Sequence, residues 1–240
     1  MNYNQLNTHS RDSLLHFDPA GHIYTCGDRQ LTPVTSVVES QFPRFDVDYW
    51  APRKAAQEGI TEEEIRRRWE AKAQRARDLG TEMHAAIERY YLGEGTASGF
   101  DTCHLFKSFT ETCTLHPYRT EWSVFDEDLG VAGTIDFLEY CDGAFRIYDW
   151  KRSDKLIFCG RPVTRNSFGN TGLGALCHVP DTAFWHYALQ LSIYRYILSR
   201  KYGINAESGS LVVLHPHNTV PYVIKVPYLE RELKAIFPGR

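Results

Sequence analysis

The sequence predicts an α/β (α+β) fold in which a central mixed sheet, containing an antiparallel hairpin, is flanked by helices. Apolar side chains recur at helical spacing from residue 61 to residue 90, which predicts helical structure before the sheet. Two strand-like runs meet at Asp142-Gly143, and a second strongly apolar helix is predicted over 183–203. Helices before and after a largely antiparallel group of strands are typical of a sheet covered by helices.

The N-terminal elements follow from turn and capping residues. HIYTCGDRQLTPVTSVV (22–38) has β-branched residues on both sides of a Gly-Asp turn signal, so it predicts a hairpin. Thr61 and the glutamates after it predict a helix start, because a hydroxyl caps a helix and acids favour its positive end. Gly80 is a point at which this stretch can divide into two helices. GEGTASG (93–99) ends the stretch, and a weaker helix is predicted over 104–113.

The second half of the chain alternates strand-like and helical runs. The predicted elements are, in order, strands over 119–125 and 133–151, a long Gly-containing segment 159–181, a helix over 183–203, a strand over 209–216, an edge-like strand over 219–228 and a short terminal helix. We predict a single domain over 1–240, with an N-terminal hairpin and helices (1–120), a core that carries the candidate site (121–214) and a C-terminal strand and helix (215–240).

Composition places the chain among globular proteins. Apolar residues make up 42% and charged residues 24% of the 240 residues, which excludes a disordered chain. No apolar run approaches the roughly 20 residues of a membrane helix, and the N-terminus lacks the apolar stretch of a secretory signal. We therefore expect an intracellular protein without a membrane partner. The six cysteines form no CxxC pair, which argues against a zinc ribbon and favours reduced thiols.

A hairpin turn at Asp142-Gly143 would fix the register of the two strands around it. Asp-Gly is a strong signal for a two-residue type I′ turn, and such a turn places Cys141 opposite Ala144. Counting outward from the turn, the same register continues along both strands. A three- or four-residue loop would shift it, so the pairing of the two strands depends on this turn.

With that register, two acids and a lysine meet on one face of the sheet. Asp136 lies opposite Asp149 and Thr134 opposite Lys151, and residues two apart on a strand share a face. Opposed carboxylates destabilise a sheet unless a positive group lies between them. A divalent cation such as Mg²⁺ or Mn²⁺ is one such group. A surface cluster of salt bridges, worth little energy, is the alternative.

The residues around these acids resemble the PD-(D/E)XK nuclease superfamily, most closely its RecB-like exonuclease branch of phage and viral type. GTIDF is similar to the G-x-x-D strand of that branch, and YDWKRS is similar to its (D/E)-x-K strand. The resemblance implies a restriction-endonuclease-like core, with Asp136 and Asp149 as metal ligands and Lys151 as the catalytic lysine. It also implies that the backbone carbonyl of Trp150 completes the metal shell.

Two flanking motifs extend the resemblance over most of residues 22–200. RARDLGTEMHAAIERYY resembles the helix that carries the histidine of this branch, which implies that His84 is a further metal ligand. YALQLSIYRYIL resembles its Q-x-x-x-Y helix, which implies that Gln190 and Tyr194 contact substrate or hold the Asp149–Lys151 strand. A hydrogen-bonded core histidine and ordinary helix packing are the alternatives for these residues.

The resemblance implies one or two Mg²⁺ or Mn²⁺ ions as cofactors. A histidine ligand suits Mn²⁺ better than Mg²⁺, so His84 predicts a manganese preference. Glu121, on the strand before Asp136, is a candidate catalytic acid in the outer shell or at a second metal, and an exposed strand glutamate is the alternative. No iron–sulfur cluster is expected, because relatives with a cluster carry three cysteines near the C-terminus and no cysteine follows Cys177 here.

Basic residues are available to contact nucleic acid, although the net charge is -3. The candidates are Arg75, Arg77, Arg152, Lys155, Arg161 and Arg165. For each of them alone, a solvated surface position is the alternative. Segment 159–181 is either a flexible flap over the nucleic acid or a disordered insertion, and the role of 154–185 as a whole stays open.

Together with the resemblance, these residues predict a metal-dependent deoxyribonuclease, specifically an exonuclease that hydrolyses phosphodiester bonds from DNA ends in repair, recombination or replication. DNA, single- or double-stranded, is the expected partner, and a helicase or recombination protein is a further candidate because no motor is present. The expected location is cytoplasmic, or nuclear or in a viral factory for a eukaryotic virus. A structure-selective endonuclease on the same fold and a non-catalytic nucleic-acid-binding module are the alternatives.

Overall fold

A mixed β-sheet is the centre of the fold in this computed structural model, which describes residues 2–19 and 21–238. The strands are β1 (Leu15–Asp18), β2 (Ile23–Cys26), β3 (Arg29–Pro33), β4 (Pro117–Asp126), β5 (Val131–Cys141), β6 (Ala144–Lys151), β7 (Ile157–Phe158), β8 (Arg161–Pro162), β9 (Ala206–Val213) and β10 (Tyr222–Val226). Eight of them form one sheet in the order β1-β2-β3-β5-β6-β9-β10, with β4 also paired to β5, while β7 and β8 form a separate hairpin. The β3–β5 and β6–β9 pairs are parallel, so the predicted α+β class with a mixed sheet is confirmed.

Helices cover both faces of this sheet. They are α1 (Tyr3–Leu6), α2 (Val34–Ser40), α3 (Val47–Glu58), α4 (Glu62–Leu92), α5 (Cys103–Thr112), α6 (Ala183–Ile197) and α7 (Glu230–Ile236). On one face, Met83 of α4 packs with α5 and with Phe137 and Val212, and on the other face α2, α6 and α7 pack with Leu211 and Val213. Neighbouring residues of β9 thus serve two cores, since successive side chains of a strand point to opposite faces. Among the described residues, no helix combines the length and the apolar character needed to cross a membrane.

The N-terminal hairpin is confirmed, but it is shorter than predicted. β2 and β3 pair antiparallel, with Cys26 opposite Arg29 across the Gly-Asp turn. Residues 34–40 form helix α2 and do not continue the hairpin. Val34 and Val38, one helical turn apart, are both buried, so the packing of one helix face outweighs the strand preference of β-branched residues. Sequence reasoning also missed β1, which pairs with β2.

Helix α4 is one continuous helix of 31 residues, so Gly80 does not divide this stretch. Thr61 caps its start as predicted, since the side-chain oxygen accepts a hydrogen bond from a backbone N–H of the first turn. Gly93 ends it in the left-handed region at φ 74°. A glycine costs a helix only about 1 kcal/mol relative to alanine, and buried Ile65 and Met83 hold the helix on both sides of Gly80.

The hairpin between β5 and β6 has the predicted register. Asp142 and Gly143 lie in the left-handed region at φ 54° and 78°, as a type I′ turn requires. The paired residues run from Cys141 and Ala144, beside the turn, to Phe137 and Tyr148. The two-residue loop that sets this register is therefore present.

Beyond this ladder, β5 and β6 separate. β4 occupies one edge of β5 along most of its length, and β3 and β6 share the other edge at its two ends. The middle of that edge, residues 133–136, lies outside both ladders. The predicted pairings of Asp136 with Asp149 and of Thr134 with Lys151 were therefore wrong, because the β5–β6 ladder ends at Phe137 and Tyr148.

Part of segment 154–185 packs against the hydrophobic core. Leu176 and Val179 are buried in the core that contains α6 and α7, and the backbone N–H of Leu173 donates to the carbonyl of Gln41 at 2.8 Å. This packing is not that of a disordered insertion, and the role of a flap stays a prediction. The exposed part of the segment includes the β7–β8 hairpin.

Gly133 allows close packing between β5 and α6, which makes it a test of this fold. A Cβ at this position would lie 2.8 Å from Cε1 of Tyr194 and 3.2 Å from Cβ of Val34. We expect Gly133→Ala to lower the free energy of unfolding by about 1–3 kcal/mol, because an overpacked core must shift side chains or backbone. Urea denaturation followed by circular dichroism measures this change.

Gly80→Ala is the matched control. A Cβ at Gly80 meets no atom within 4 Å, and helix propensity favours alanine by about 1 kcal/mol. We therefore expect this variant to be more stable than wild type. Equal stability of wild type and Gly133→Ala would contradict the packing of Tyr194 on β5.

Candidate metal centre

The gap between β5 and β6 is filled by a side chain. The Asp136 carboxylate, 8% exposed, accepts a hydrogen bond from the backbone N–H of Trp150 at 2.9 Å. This bond takes the place of a ladder bond between the strands, because a buried backbone N–H needs an acceptor. Asp136 is thereby fixed at the point where the sheet opens.

His84 reaches this gap from α4. Its Nε2 lies 2.8 Å from the carbonyl oxygen of Trp150, so an Nε2–H donates to that carbonyl. Its Nδ1 lies 3.5 Å from Oε1 of Glu121 and 3.6 Å from Oδ2 of Asp136. The Trp150 carbonyl, for which the resemblance implies a metal contact, is thus paired with His84.

Glu121 is held in the same place by an unusual backbone conformation. Its φ of 44° lies in the left-handed region, although the residue belongs to β4. Its two neighbours on β4 pair with Phe137 and Ile135, so Glu121 lies beside Asp136. Positive φ costs a non-glycine residue about 1–3 kcal/mol, and such strain is concentrated at functional sites. The structure places Glu121 within this cluster and not on an open strand surface.

Asp149 and Lys151 form an ion pair next to these residues. Asp149 is 1% exposed, and Nζ of Lys151 lies 2.7 Å from its Oδ2. Neither oxygen of Asp149 accepts a hydrogen bond of good geometry from the described residues, so the charge of Lys151 is its main partner. The same Nζ lies 4.6 Å from the ring centroid of Tyr187 on α6. Sequence reasoning missed Tyr187, although its place one turn before Gln190 on the same helix face could have indicated it.

The charges of this cluster shift one another's pKa values. Burial raises the pKa of Asp149 to about 7, against the opposing effect of Lys151. Burial also raises the pKa of Asp136. Burial alone would lower the pKa of His84, but the carboxylates of Asp136 and Glu121 raise it to about 9. In the absence of a metal ion, protons therefore take up part of the excess negative charge.

The donor set fits a hard divalent cation. His84, Glu121 and Asp136 each offer one ligand atom, and these atoms all lie within 4.8 Å of one another. An ion with bonds of about 2.0–2.6 Å spans that distance, and an imidazole beside two carboxylates suits Mn²⁺ better than Mg²⁺. Asp149, predicted as the second ligand, is not a member of this set. The structure groups Asp136 with His84 and Glu121 and leaves Asp149 to Lys151.

A second group, His116, Glu139 and Cys141, has similar spacing but another explanation. The Glu139 carboxylate accepts hydrogen bonds from the backbone N–H of His116 at 3.1 Å and from the hydroxyl of Tyr148 at 3.3 Å. It also lies 3.5 Å from Nη1 of Arg146. These donors satisfy the buried acid without a metal ion.

Gln190 and Tyr194 act together on α6. Nε2 of Gln190 donates to the hydroxyl of Tyr194 at 3.2 Å, and both residues are buried. The Tyr194 ring lies over Gly133 of β5, where a side chain would collide with it. The pair therefore braces the strand of Asp136, whereas the prediction assigned it to substrate or to the Asp149–Lys151 strand.

The basic residues predicted to contact nucleic acid lie in three places. They are Arg75 and Arg77 on α4, Arg152 directly after β6, and Lys155, Arg161 and Arg165 around the β7–β8 hairpin. Arg77 pairs with Glu70 at 2.9 Å, and Arg152 donates to Asp101 at 3.0 Å. The group around the hairpin lines one shallow concavity. Arg75 and Arg152 both lie close enough to Asp101 to lower the pKa of its carboxyl group.

No family model matches this chain, and no curated protein matches it. A solved structure described as "Crystal structure of SSO0001" is similar at a TM-score of 0.36 and 18% sequence identity, and the match covers 85% of this chain and 72% of that chain.

The raised pKa of Asp149 predicts how the stability of the metal-free protein depends on pH. The folded-state value of about 7 lies above the ordinary value of 3.8, so the folded state binds this proton more tightly than the unfolded state. Stability is therefore lost as the pH rises between these values. His84, raised from 6.5 to about 9, extends the loss to higher pH. We expect urea midpoints measured in EDTA to decrease across this whole range.

Asp149→Asn separates the two contributions. This variant should lack the decrease below about pH 7, because asparagine has no proton to release there. Asp28→Asn, a change in the exposed turn between β2 and β3, should follow wild type. The same decrease in Asp149→Asn as in wild type would contradict a raised pKa at Asp149.

The donor set also predicts that Mn²⁺ stabilises the protein. An ion that binds only the folded state adds about 2.7 kcal/mol at roughly 100 times its Kd. We therefore expect Mn²⁺ to raise the Tm of wild type in scanning fluorimetry, EDTA to reverse the rise, and Asp136→Asn to abolish it. Cys141→Ser, which alters the second group, should respond as wild type does. If millimolar Mn²⁺ left the Tm of wild type unchanged, this result would contradict a metal site at His84, Glu121 and Asp136.

Proposed function

We propose that this chain is a metal-dependent deoxyribonuclease that hydrolyses phosphodiester bonds from DNA ends. One observation carries the proposal: the ligand atoms of His84, Glu121 and Asp136 lie within 4.8 Å of one another, and the buried Asp149–Lys151 pair is next to them. Ligands for a hard divalent ion lie beside a fixed ammonium group. Both positive charges would stabilise the negative charge that develops when water attacks a phosphodiester. The choice of DNA ends as substrate is supported by the resemblance to RecB-like exonucleases.

Three of these residues would hold the metal ion, and Lys151 would contact the attacking water or the phosphate. An ion held by His84, Glu121 and Asp136 would polarise a phosphate oxygen and lower the pKa of a bound water. Burial would lower the pKa of Lys151, but Asp149 and Asp136 raise it, so the side chain stays cationic. Lys151 therefore donates hydrogen bonds to the attacking water or to the phosphate, where charge develops, and does not serve as a base.

Second-layer contacts keep that ammonium in position. Asp149 holds Nζ of Lys151 from one side, and the ring of Tyr187 lies against it at 4.6 Å. Gln190 and Tyr194 fix β5, and with it Asp136, through the close contact at Gly133. Such preorganisation matters because small displacements of reacting groups cost large factors in rate.

The test compares cleavage of end-labelled linear single- and double-stranded DNA with cleavage of closed circular DNA, in Mg²⁺, Mn²⁺ or EDTA. We expect loss of the linear substrates only, faster in Mn²⁺, with products that carry a 5′ phosphate. Lys151→Ala should lower the rate about 100- to 1,000-fold, as removal of one transition-state donor does. Lys225→Ala, an exposed lysine of β10, is the matched control and should cut like wild type.

Other outcomes point to the alternatives. Cleavage of closed circles would indicate an endonuclease on the same fold. Cleavage that survives EDTA, or that survives Lys151→Ala at the wild-type rate, would refute the proposed mechanism. DNA binding without any cleavage in either metal would indicate a binding module.

A further inference from the structure

A cavity lies where the strand of Lys151 ends. β6 and β9 run parallel and finish together, with Lys151 opposite Val213 and the N–H of Leu214 donating to the Lys151 carbonyl at 2.8 Å. Beyond this point one chain segment forms the β7–β8 hairpin and the other forms a turn over 215–219. Between them is a cavity of about 400 Å³, a size within the range of small-ligand sites, about 300–1,000 Å³.

The cavity is lined by aromatic rings and uncharged donors. Phe158, Tyr222 and the neighbouring rings of His215 and His217, whose centroids lie 4.5 Å apart, contribute flat surfaces. Nδ2 of Asn218 is buried there and has no hydrogen-bond partner among the described residues. No lysine or arginine of the described chain lines it, and one acid, Asp154, does. This lining suits a flat ring with polar edges and does not suit a phosphate.

A second concavity that contains basic residues adjoins this cavity at the β7–β8 hairpin. This concavity, of about 820 Å³, is lined by Lys155, Arg161 and Arg165, and Asp154 lines it as well. Phe158 lines both depressions and is 74% exposed, so it stands on the ridge between them. The turn at Cys159 and Gly160 has φ values of 47° and 73°, as a type I′ turn requires, and holds this ridge in shape.

We propose that the cavity receives one unpaired nucleobase of the DNA strand, stacked on Phe158, while the adjoining phosphates lie along Lys155, Arg161 and Arg165. This inference rests on the proposed nuclease function and assigns the path of a single strand leading to its site. Stacking on aromatic rings beside a basic groove is how proteins hold single strands without reading their sequence. A base in a duplex has its edge occupied and its faces stacked, so only an unpaired base enters.

Binding in EDTA tests the proposal without turnover. The probe is a short fluorescein-labelled single-stranded DNA, followed by fluorescence anisotropy. We expect Phe158→Ala to weaken binding about 5- to 150-fold, the effect of one lost base–aromatic stack. Phe168→Ala is the matched control, because Phe168 belongs to the same segment, is 81% exposed and lines neither depression. It should bind like wild type.

A scan with abasic residues then locates the base. Each probe lacks one base but keeps every phosphate. We expect one abasic position to weaken binding to wild type, and Phe158→Ala to cause no further loss with that probe. Arg161→Ala should instead lower affinity for all probes alike and reduce the salt dependence of binding by about one unit of slope.

The failures of the two proposals are distinguishable. Wild-type affinity in Phe158→Ala, or an equal loss with every abasic probe, would overturn the base site whether or not DNA is cut. An equal loss in Phe158→Ala and Phe168→Ala would also overturn it. Absence of metal-dependent cleavage, together with the expected pattern of binding, would refute the nuclease function alone.

Discussion

The hydrogen bond from the Trp150 backbone N–H to Asp136 is the contact on which the site depends. β5 and β6 separate where β3 occupies the same edge of β5. A buried N–H left without an acceptor costs about 1–3 kcal/mol, so an acceptor has to come from a side chain. Because the strands separate here, the Trp150 carbonyl also accepts its hydrogen bond from a side chain, the Nε2–H of His84. One separation of strands therefore orients two of the candidate ligands.

The cluster of charged side chains lies between two hydrophobic cores. Burial there makes it costly to ionise these groups and strengthens the interactions between their charges. Met83 and Ile87 of α4 close one face of the sheet near His84, and α6 closes the other face above Lys151. In such surroundings charges interact much more strongly than in water. The carboxylates therefore raise the pKa of His84, whereas burial itself raises the pKa of Asp149. A divalent ion would take the place of these protons.

Local signals in the sequence were sufficient for much of this arrangement. Asp142-Gly143 encodes its own turn and the register beside it, and Thr61 encodes the start of α4, because both depend on neighbouring residues only. The resemblance pointed to His84, which the structure places beside Asp136. The separation of β5 from β6 was not predictable in this way, since it arises from competition among strands distant in sequence.

Glu121 was assigned to the right strand, but its backbone strain and its contact with His84 have no signature in a single sequence. That strain has a consequence for how the protein can change. Glycine is the residue that relaxes a left-handed backbone, and glycine at position 121 has no carboxylate to offer. A glycine at position 121 would therefore stabilise the fold and, at the same time, remove one carboxylate from the cluster. In relatives that no longer need the site, we expect Glu121 to be replaced early. Asp136 should be retained for longer, because it accepts the hydrogen bond from the backbone N–H of Trp150.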